Sequence, residues 1–176
     1  DRVEEALYCR SGMYSSVLSG GLAGHIYGAM GLWQGSIEEA ASPKMWESLT
    51  WKSGDQMRHL RTFVMAKGAR YRDLVPDPEL VTPCRTGDPN GYKGWAYCAG
   101  TEESDFFLLY FEKEYPDGAI FRGGRPGASY RARWFDPRLG EWHPIDGLVA
   151  TDPATGRIPL PATPTNDDWG LTLEMA

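Results

Sequence analysis

The sequence predicts an α/β segment followed by an all-β one: the final βα units of a (β/α)8 TIM-type barrel over residues 1–72, then an antiparallel β-sandwich over residues 73–176. Three observations carry this. Apolar residues in the first third recur at helical spacing, a glycine-rich run lies between the two helical patterns, and beyond Arg72 the chain breaks into short aromatic segments separated by turn signals.

The first helical pattern places Val3, Leu7, Met13, Tyr14, Val17 and Leu18 on one stripe, with Ala6 filling in and Asp1 placed to cap it. Ser19-Gly20-Gly21 ends it. Residues 23–27 then alternate as a strand, with His25 and Tyr27 on one face and Ile26 on the other. A long loop holding Trp33, Glu38, Glu39, Pro43, Met45 and Trp46 follows. Ser53-Gly54-Asp55-Gln56 is a capping-box pattern that opens a second helix. Met57, Leu60, Phe63 and Val64 form its buried stripe, and Gly68 is placed to close it. One strand with a long loop at its C-terminal end fits the last repeat of a (β/α) barrel, where active-site loops sit.

Val75-Pro76-Asp77-Pro78 leads into the second part. Strand-like runs lie at residues 95–97, 106–111, 130–135, 157–160 and 169–173. Between them fall Asp88-Pro89-Asn90-Gly91, Pro116-Asp117-Gly118, Asp136-Pro137-Arg138-Leu139-Gly140 and Asp152-Pro153-Ala154-Thr155-Gly156, each a turn composition. Tyr130, Ala132 and Trp134 share one strand face while Arg131 and Arg133 share the other, the pattern of a half-buried strand with a wet side. Alternation assigns Trp95, Tyr97, Trp134, Trp142 and Trp169 mainly to core or interface rather than to a sugar platform.

Composition narrows the function. The chain has 176 residues, 41% hydrophobic, with seven Trp: enough for a packed core. Twenty-one Gly and thirteen Pro favour turns over long helices. Eighteen Lys and Arg against 24 Asp and Glu give a net charge of −6 with no basic block, which argues against nucleic acid as a partner. No run of 18 apolar residues exists to cross a membrane as a helix. No charged-then-apolar leader opens the sequence, so Asp1 reads as the middle of a longer protein. Cys9, Cys84 and Cys98 are an odd number without metal spacing. Cys84 and Cys98 could meet across a hairpin, or stand as free, partly buried thiols. Neither a metal nor a cofactor is expected.

The run Gly20-Gly21-Leu22-Ala23-Gly24-His25-Ile26-Tyr27-Gly28-Ala29-Met30-Gly31-Leu32-Trp33-Gln34 concentrates the candidate chemistry. Its five glycines leave little bulk apart from His25, Tyr27, Trp33 and a few apolar positions. Imidazole and phenol donors beside a flat indole suit a carbohydrate; a buried strand with a satisfied His and a core Trp explains the same spacing. Arg58 and Arg61 fit a solvated helix face. Of the acidic pairs, Glu38 and Glu39 would point apart in extended chain, and Asp167 and Asp168 suit the turn before the last strand.

Tyr14 to Val17, Leu18-Ser19-Gly20-Gly21, Gly24-His25-Ile26-Tyr27-Gly28 and Trp33-Gln34 together resemble the end of the apiosidase-like glycoside hydrolase barrel, family 140 and its broader relatives, once grouped as domain-of-unknown-function family 4038. Trp134-Phe135-Asp136-Pro137-Arg138 with Gly140, and Asp168-Trp169-Gly170-Leu171-Thr172-Leu173, resemble the β-sandwich that follows that barrel, sometimes described as a collagen-binding domain of a collagenase. The resemblance implies a hydrolase of glycosidic bonds in polysaccharide, acting by two carboxylates that lie in preceding βα units, so no catalytic residue is carried over. It implies substrate contact at His25, Tyr27, Trp33 and, more weakly, Gln34, a carbohydrate substrate, the N-terminal remainder of the barrel as partner, and a secreted or periplasmic location. The alternative is a non-catalytic carbohydrate-binding or structural sandwich; nothing in these residues supports collagen binding.

Overall fold

Helices against one face of an antiparallel sheet, and a smaller sheet against its other face, make up the fold. It is seen in a computed structural model that describes residues 6–21 and 23–176. The expected capping by Asp1 and the start of the helical stripe at Val3 lie outside the described residues, as does Leu22. The first helix, α1, spans Ala6–Leu18 and buries Met13, Tyr14, Val17 and Leu18. It ends where the sequence predicts: Gly21 donates its N–H to Ser16 O at 2.8 Å, and Gly20 takes φ +109°. Two short helices, α2 (Met30–Gln34) and α3 (Met45–Ser48), precede α4 (Lys52–Val64).

Three details differ from expectation. Helix α4 starts two residues earlier than the Ser53 capping pattern, with Trp51 as its N-cap, and Ser53 instead turns inward and is fully buried. It ends at Val64 rather than running to Gly68, which sits beyond it in a turn at φ +57°. The expected strand at residues 23–27 does not form: residues 23–29 belong to no helix or ladder. A strand exists only where its N–H and C=O groups meet a neighbour's. Every strand of the described chain lies C-terminal to Asp73, in sheets whose members pair with one another.

From Leu74 onward the regular elements are strands and short 3-10 turns, joined by loops. Strands β1 (Leu74–Pro76), β2 (Val81–Thr82), β3 (Ala96–Thr101), β4 (Phe106–Phe111), β5 (Ile120–Phe121), β6 (Ser129–Asp136), β7 (Glu141–Pro144), β8 (Val149–Ala150), β9 (Ile158–Pro159) and β10 (Trp169–Met175) follow in order. Among the described residues one sheet has the order β1-β3-β4-β10-β6-β7, with β8 also on β6, and the other is β2-β5-β9. All pairs are antiparallel. The turn residues act as their chemistry requires: Gly140 and Gly156 take φ +74° and +69° and donate back to Asp136 O and Asp152 O.

The β4 sequence Phe106-Phe107-Leu108-Leu109-Tyr110-Phe111 is buried throughout, with none of the hydrophobic-in, polar-out alternation of a half-wet strand. Its odd members, Phe107, Leu109 and Phe111, enter the core with Val81, Phe121, Ile158, Trp134 and Leu171. The even members, Phe106, Leu108 and Tyr110, enter a second core with Met13, Tyr14, Leu18, Leu60 and Phe63 of the helices. Tyr14 stacks on Tyr110 with ring centroids 4.8 Å apart. Trp142 of β7 closes this core against Phe135 and Phe63. The β6 alternation holds: Tyr130, Ala132 and Trp134 are buried, Arg131 is exposed, and Arg133 lies over the Trp142 ring.

The helix–sheet interface also contains charge. Arg10 of α1 donates Nε and Nη2 to the two oxygens of Asp168 at 2.8 and 2.7 Å, both residues being buried. Tyr110 donates its hydroxyl to the same carboxylate at 2.9 Å. Arg10 Nη1 donates to Gln56 of α4, whose amide donates on to Arg138 O. Burial works to lower the Arg10 pKa, but the Asp168 hydrogen bonds and charge carry it above the ordinary arginine value. The Asp136-to-Gly140 turn docks on α4 as well. His59 Nδ1 donates to Pro137 O at 3.0 Å, and a Cβ on Gly140 would stand 2.6 Å from the His59 ring. Arg138 folds back on Asp136 through two 2.8 Å bonds and pairs with Asp167. All three cysteines are free thiols.

Removing one partner of a buried ion pair strands the other's charge in low dielectric. Asp168→Asn is expected to destabilise the fold by about 3–5 kcal/mol, read as a lower urea midpoint at unchanged slope. Replacing both partners with apolar residues, Arg10→Met with Asp168→Leu, is expected to cost less than either single change.

Candidate functional site

The glycine-rich segment passes from α1 over α4 without joining a helix or a ladder over residues 23–29, and its few side chains fix where it lies. The hydroxyls of Tyr27 and Ser53 are 2.7 Å apart in a hydrogen bond. The Tyr27 ring fits there because Gly54 has no side chain: a Cβ would stand 3.2 Å from Tyr27 Cε1. Downstream, α2 and α3 approach closely at Gly31, where a Cβ would meet Ser48 Oγ at 2.5 Å and Lys44 O at 2.7 Å. The Gly31 N–H donates to Ser48 Oγ. Close packing thus accounts for Gly31 of the run and for Gly54 of α4.

An open cleft of about 400 Å³ lies between α1 and this segment, lined by Tyr8, Cys9, His25, Tyr27, Gly28 and Tyr92 among others. His25 and Tyr27, both half-buried, line this space, and so does Ile26, 90% exposed, so the alternation of faces expected of a strand does not separate them. His25 also borders a second hollow of about 300 Å³ above Val17, Met57, Leu60 and Tyr71. Trp33 is 81% exposed and lies against Gly28 at the cleft rim, where a Cβ on that glycine would be 3.4 Å from the indole. Gln34 is apart from the others, exposed at the end of α2, with Ser36 donating to its side-chain oxygen at 3.4 Å. The structure therefore joins His25 and Tyr27, puts Trp33 at their edge and leaves Gln34 outside.

Two walls of the cleft escaped the sequence reading. Tyr8 lies on the helical stripe's outer side, and Tyr92 follows a turn that served only as punctuation between strands. Their rings meet edge to face at 5.4 Å, joining α1 to the β part. An aromatic placed just after a turn signal was the available cue. Cys9, on the same wall, has its thiol pKa raised by burial against the opposing influence of Ser53 and Arg10.

The acidic pairs do not assemble into a two-carboxylate site. Glu38 and Glu39 are exposed on a loop. Asp167 and Asp168 shape the start of β10, as expected, and are also consumed by Arg138 and Arg10. Arg58 is exposed and paired with Asp55, and Arg61 is exposed. Among the described residues no cluster of three His, Cys, Asp or Glu could hold a metal, and no helix is long and apolar enough to cross a membrane.

Residues 2–69 match the sequence model of the apiosidase-like catalytic domain family. The chain is similar in structure to a glycoside hydrolase with a TM-score of 0.75 at 18% identity, over 96% of this chain and 36% of that one. It is similar to a glycoside hydrolase family 5 protein from Bacteroides vulgatus ATCC 8482 with a TM-score of 0.71, again at 18% identity and with coverages of 96% and 36%. This chain thus spans about a third of the length of those structures, and the likeness at such identity is one of fold. No curated protein matches the sequence.

Because the Tyr27–Ser53 bond tethers the extended segment to α4, Tyr27→Phe is expected to cost about 1 kcal/mol in urea unfolding. Limited proteolysis should then cut within residues 23–29 faster than in the parent chain.

Proposed function

We propose that this chain is the C-terminal piece of an apiosidase-like glycoside hydrolase that cleaves glycosidic bonds in polysaccharide. In this reading residues 1–72 supply the last βα units of a (β/α)8 barrel, and residues 73–176 form the β-sandwich that flanks it. The observation that carries the reading is the family match over residues 2–69, the same residues that bring His25 and Tyr27 to an open cleft.

Hydrolysis by this route needs two carboxyl groups at a set separation across the scissile bond, one as acid or acid/base and one as base or nucleophile. The chain's own acidic pairs are exposed or tied in ion pairs, so both carboxylates are assigned to preceding βα units. The residues of this chain bind and orient. His25 and Tyr27 offer hydrogen bonds to sugar hydroxyls, and Trp33, its indole almost fully exposed, offers a flat face to a sugar ring. Gln34, exposed beside Trp33 at the end of α2, has its side-chain oxygen turned to the Ser36 hydroxyl.

Residues 23–29 join no ladder among the described strands, which supports the partner assignment: a neighbouring strand of the N-terminal remainder has room to pair with residues 25–28. The alternative of a sugar-binding sandwich has less support, since Trp134 and Trp169 are buried in core and Trp142 closes the helix interface. A structural role for residues 73–176 agrees with the large apolar surface they place against α1 and α4.

The 176-residue chain alone is expected to release no reducing sugar from polysaccharide side chains. Co-expression with the N-terminal portion should restore hydrolysis, and His25→Ala in the restored enzyme should lower kcat/KM by roughly tenfold to a hundredfold, as a lost substrate hydrogen bond of about 1.5–3 kcal/mol requires. Robust turnover by the chain alone would overturn the proposal.

A further inference from the structure

Glu112 directly follows β4 on the sheet face that α1 covers, and it is 2% exposed. Its Oε1 accepts the Ser11 hydroxyl of α1 at 2.7 Å and lies 3.5 Å from the Tyr97 hydroxyl of β3. Its Oε2 is buried without any hydrogen-bond partner. Among the described residues no ion pair includes it. The cation that α1 sends into this interface, Arg10, is committed to Asp168 and Gln56.

The groups facing Glu112 thus give an anion little help. From α1 comes the Ser11 hydroxyl, from β3 the Tyr97 hydroxyl, from just before β3 the Trp95 backbone, and from the residue before β10 the negative charge of Asp168. Tyr14 and Tyr110 beside Asp168 have their own pKa values raised well above the ordinary range by burial, and Tyr97 is pushed up to about 12, so none of the three adds a charge near neutrality. A carboxylate in such a place leaves one charged oxygen with no donor, whereas a carboxylic acid keeps the Ser11 bond and sheds the charge.

We propose that Glu112 is held as a neutral carboxylic acid that latches α1 onto the sheet, so that loss of its proton loosens α1 and with it the Tyr8 and Cys9 wall of the cleft. Burial, the largest influence on this carboxyl, acts in the same direction and lifts its pKa above the usual glutamate value, outweighing the hydrogen bonds from Ser11, Trp95 and Tyr97. A group whose folded pKa lies above its unfolded one gives stability that is complete below the unfolded pKa and lost as pH rises through the folded pKa. Asp136, held below the usual aspartate range because Arg138 overcomes its burial, acts oppositely and loses its contribution as pH falls. The two carboxyls therefore act on stability from opposite sides of the pH scale, Glu112 on the alkaline side and Asp136 on the acid side.

The test compares the wild-type chain with Glu112→Gln across pH 4–9. In the wild type, the carboxyl carbon of Glu112, followed by 13C NMR, is expected to titrate above the exposed glutamates. Its Tm should fall on the alkaline side by about 3–5 °C for each unit by which the folded pKa is raised. Amide exchange in α1, corrected for intrinsic rates, should speed up over the same range. Glu112→Gln should flatten that alkaline limb and leave the acid limb in place. A Glu112 carbon that titrates with the exposed glutamates overturns the proposal, as does a Glu112→Gln chain that loses the same Tm at every pH. Should Glu112→Gln fail to fold, the wild-type NMR titration decides by itself.

Discussion

The Arg10–Asp168 pair fixes how the helices sit on the sheet. It joins the second turn of α1 to the residue just before β10, across 158 positions of sequence, in a place where both side chains are out of water. Such a pair adds little net stability over well-packed apolar residues, because both charges had to be desolvated. What it adds is a single geometry. A guanidinium bonded through two nitrogens to one carboxylate has one position and one orientation. The Tyr110 hydroxyl, the Gln56 amide and, through Gln56, the Arg138 carbonyl are arranged around it. Sliding α1 along the sheet would leave these polar groups unpaired together.

Around that polar centre, β4 divides the molecule. A strand buried on both faces has no wet side, and here each face fills a different core. The arrangement explains why the helices and the β part cannot be treated as independent bodies. Tyr110 stacks on Tyr14 while its neighbours Leu109 and Phe111 support the small sheet, so strain on either face of β4 is felt on the other. The turn from Asp136 to Gly140 adds a second attachment, through His59 and the Gln56 bond to Arg138, and draws α4 down beside α1.

The glycine-rich segment joins no ladder over residues 23–29 and carries the candidate chemistry. Two side-chain tethers, Tyr27 to Ser53 and Gly31 to Ser48, hold it in place of a ladder. Large apolar groups around it remain in water: Ile26, Trp33, Ile37, Trp46 and Leu49 are all at least half exposed. A segment with free backbone groups and exposed apolar side chains is suited to receive both a neighbouring strand and a ligand. The same openness in His25 and Trp33 is what a sugar-contacting role needs.

The local elements were legible because local interactions specify them. The 3.6-residue spacing of Met13, Tyr14, Val17 and Leu18 is sufficient to make a helix with one buried face, and Ser19-Gly20-Gly21 is sufficient to stop it. The alternation in β6 and the glycines at 140 and 156 likewise needed nothing distant to take their roles. The rest depended on distant chain. Residues 23–27 carry a strand's alternation, but a strand is completed by hydrogen bonds to another, and none of the described strands comes beside them. Asp168 belongs to a turn by composition, and only the arrival of Arg10 makes it the anchor of the helix–sheet contact. Tyr92 joins the cleft through Tyr8, a residue 84 positions earlier in the numbering, by a packing that no periodicity encodes. Sequence by itself determined the elements, their turns and the residues worth watching. Tertiary structure decided which charges are buried and which side chains share a cavity, because both are properties of neighbours that only folding brings together.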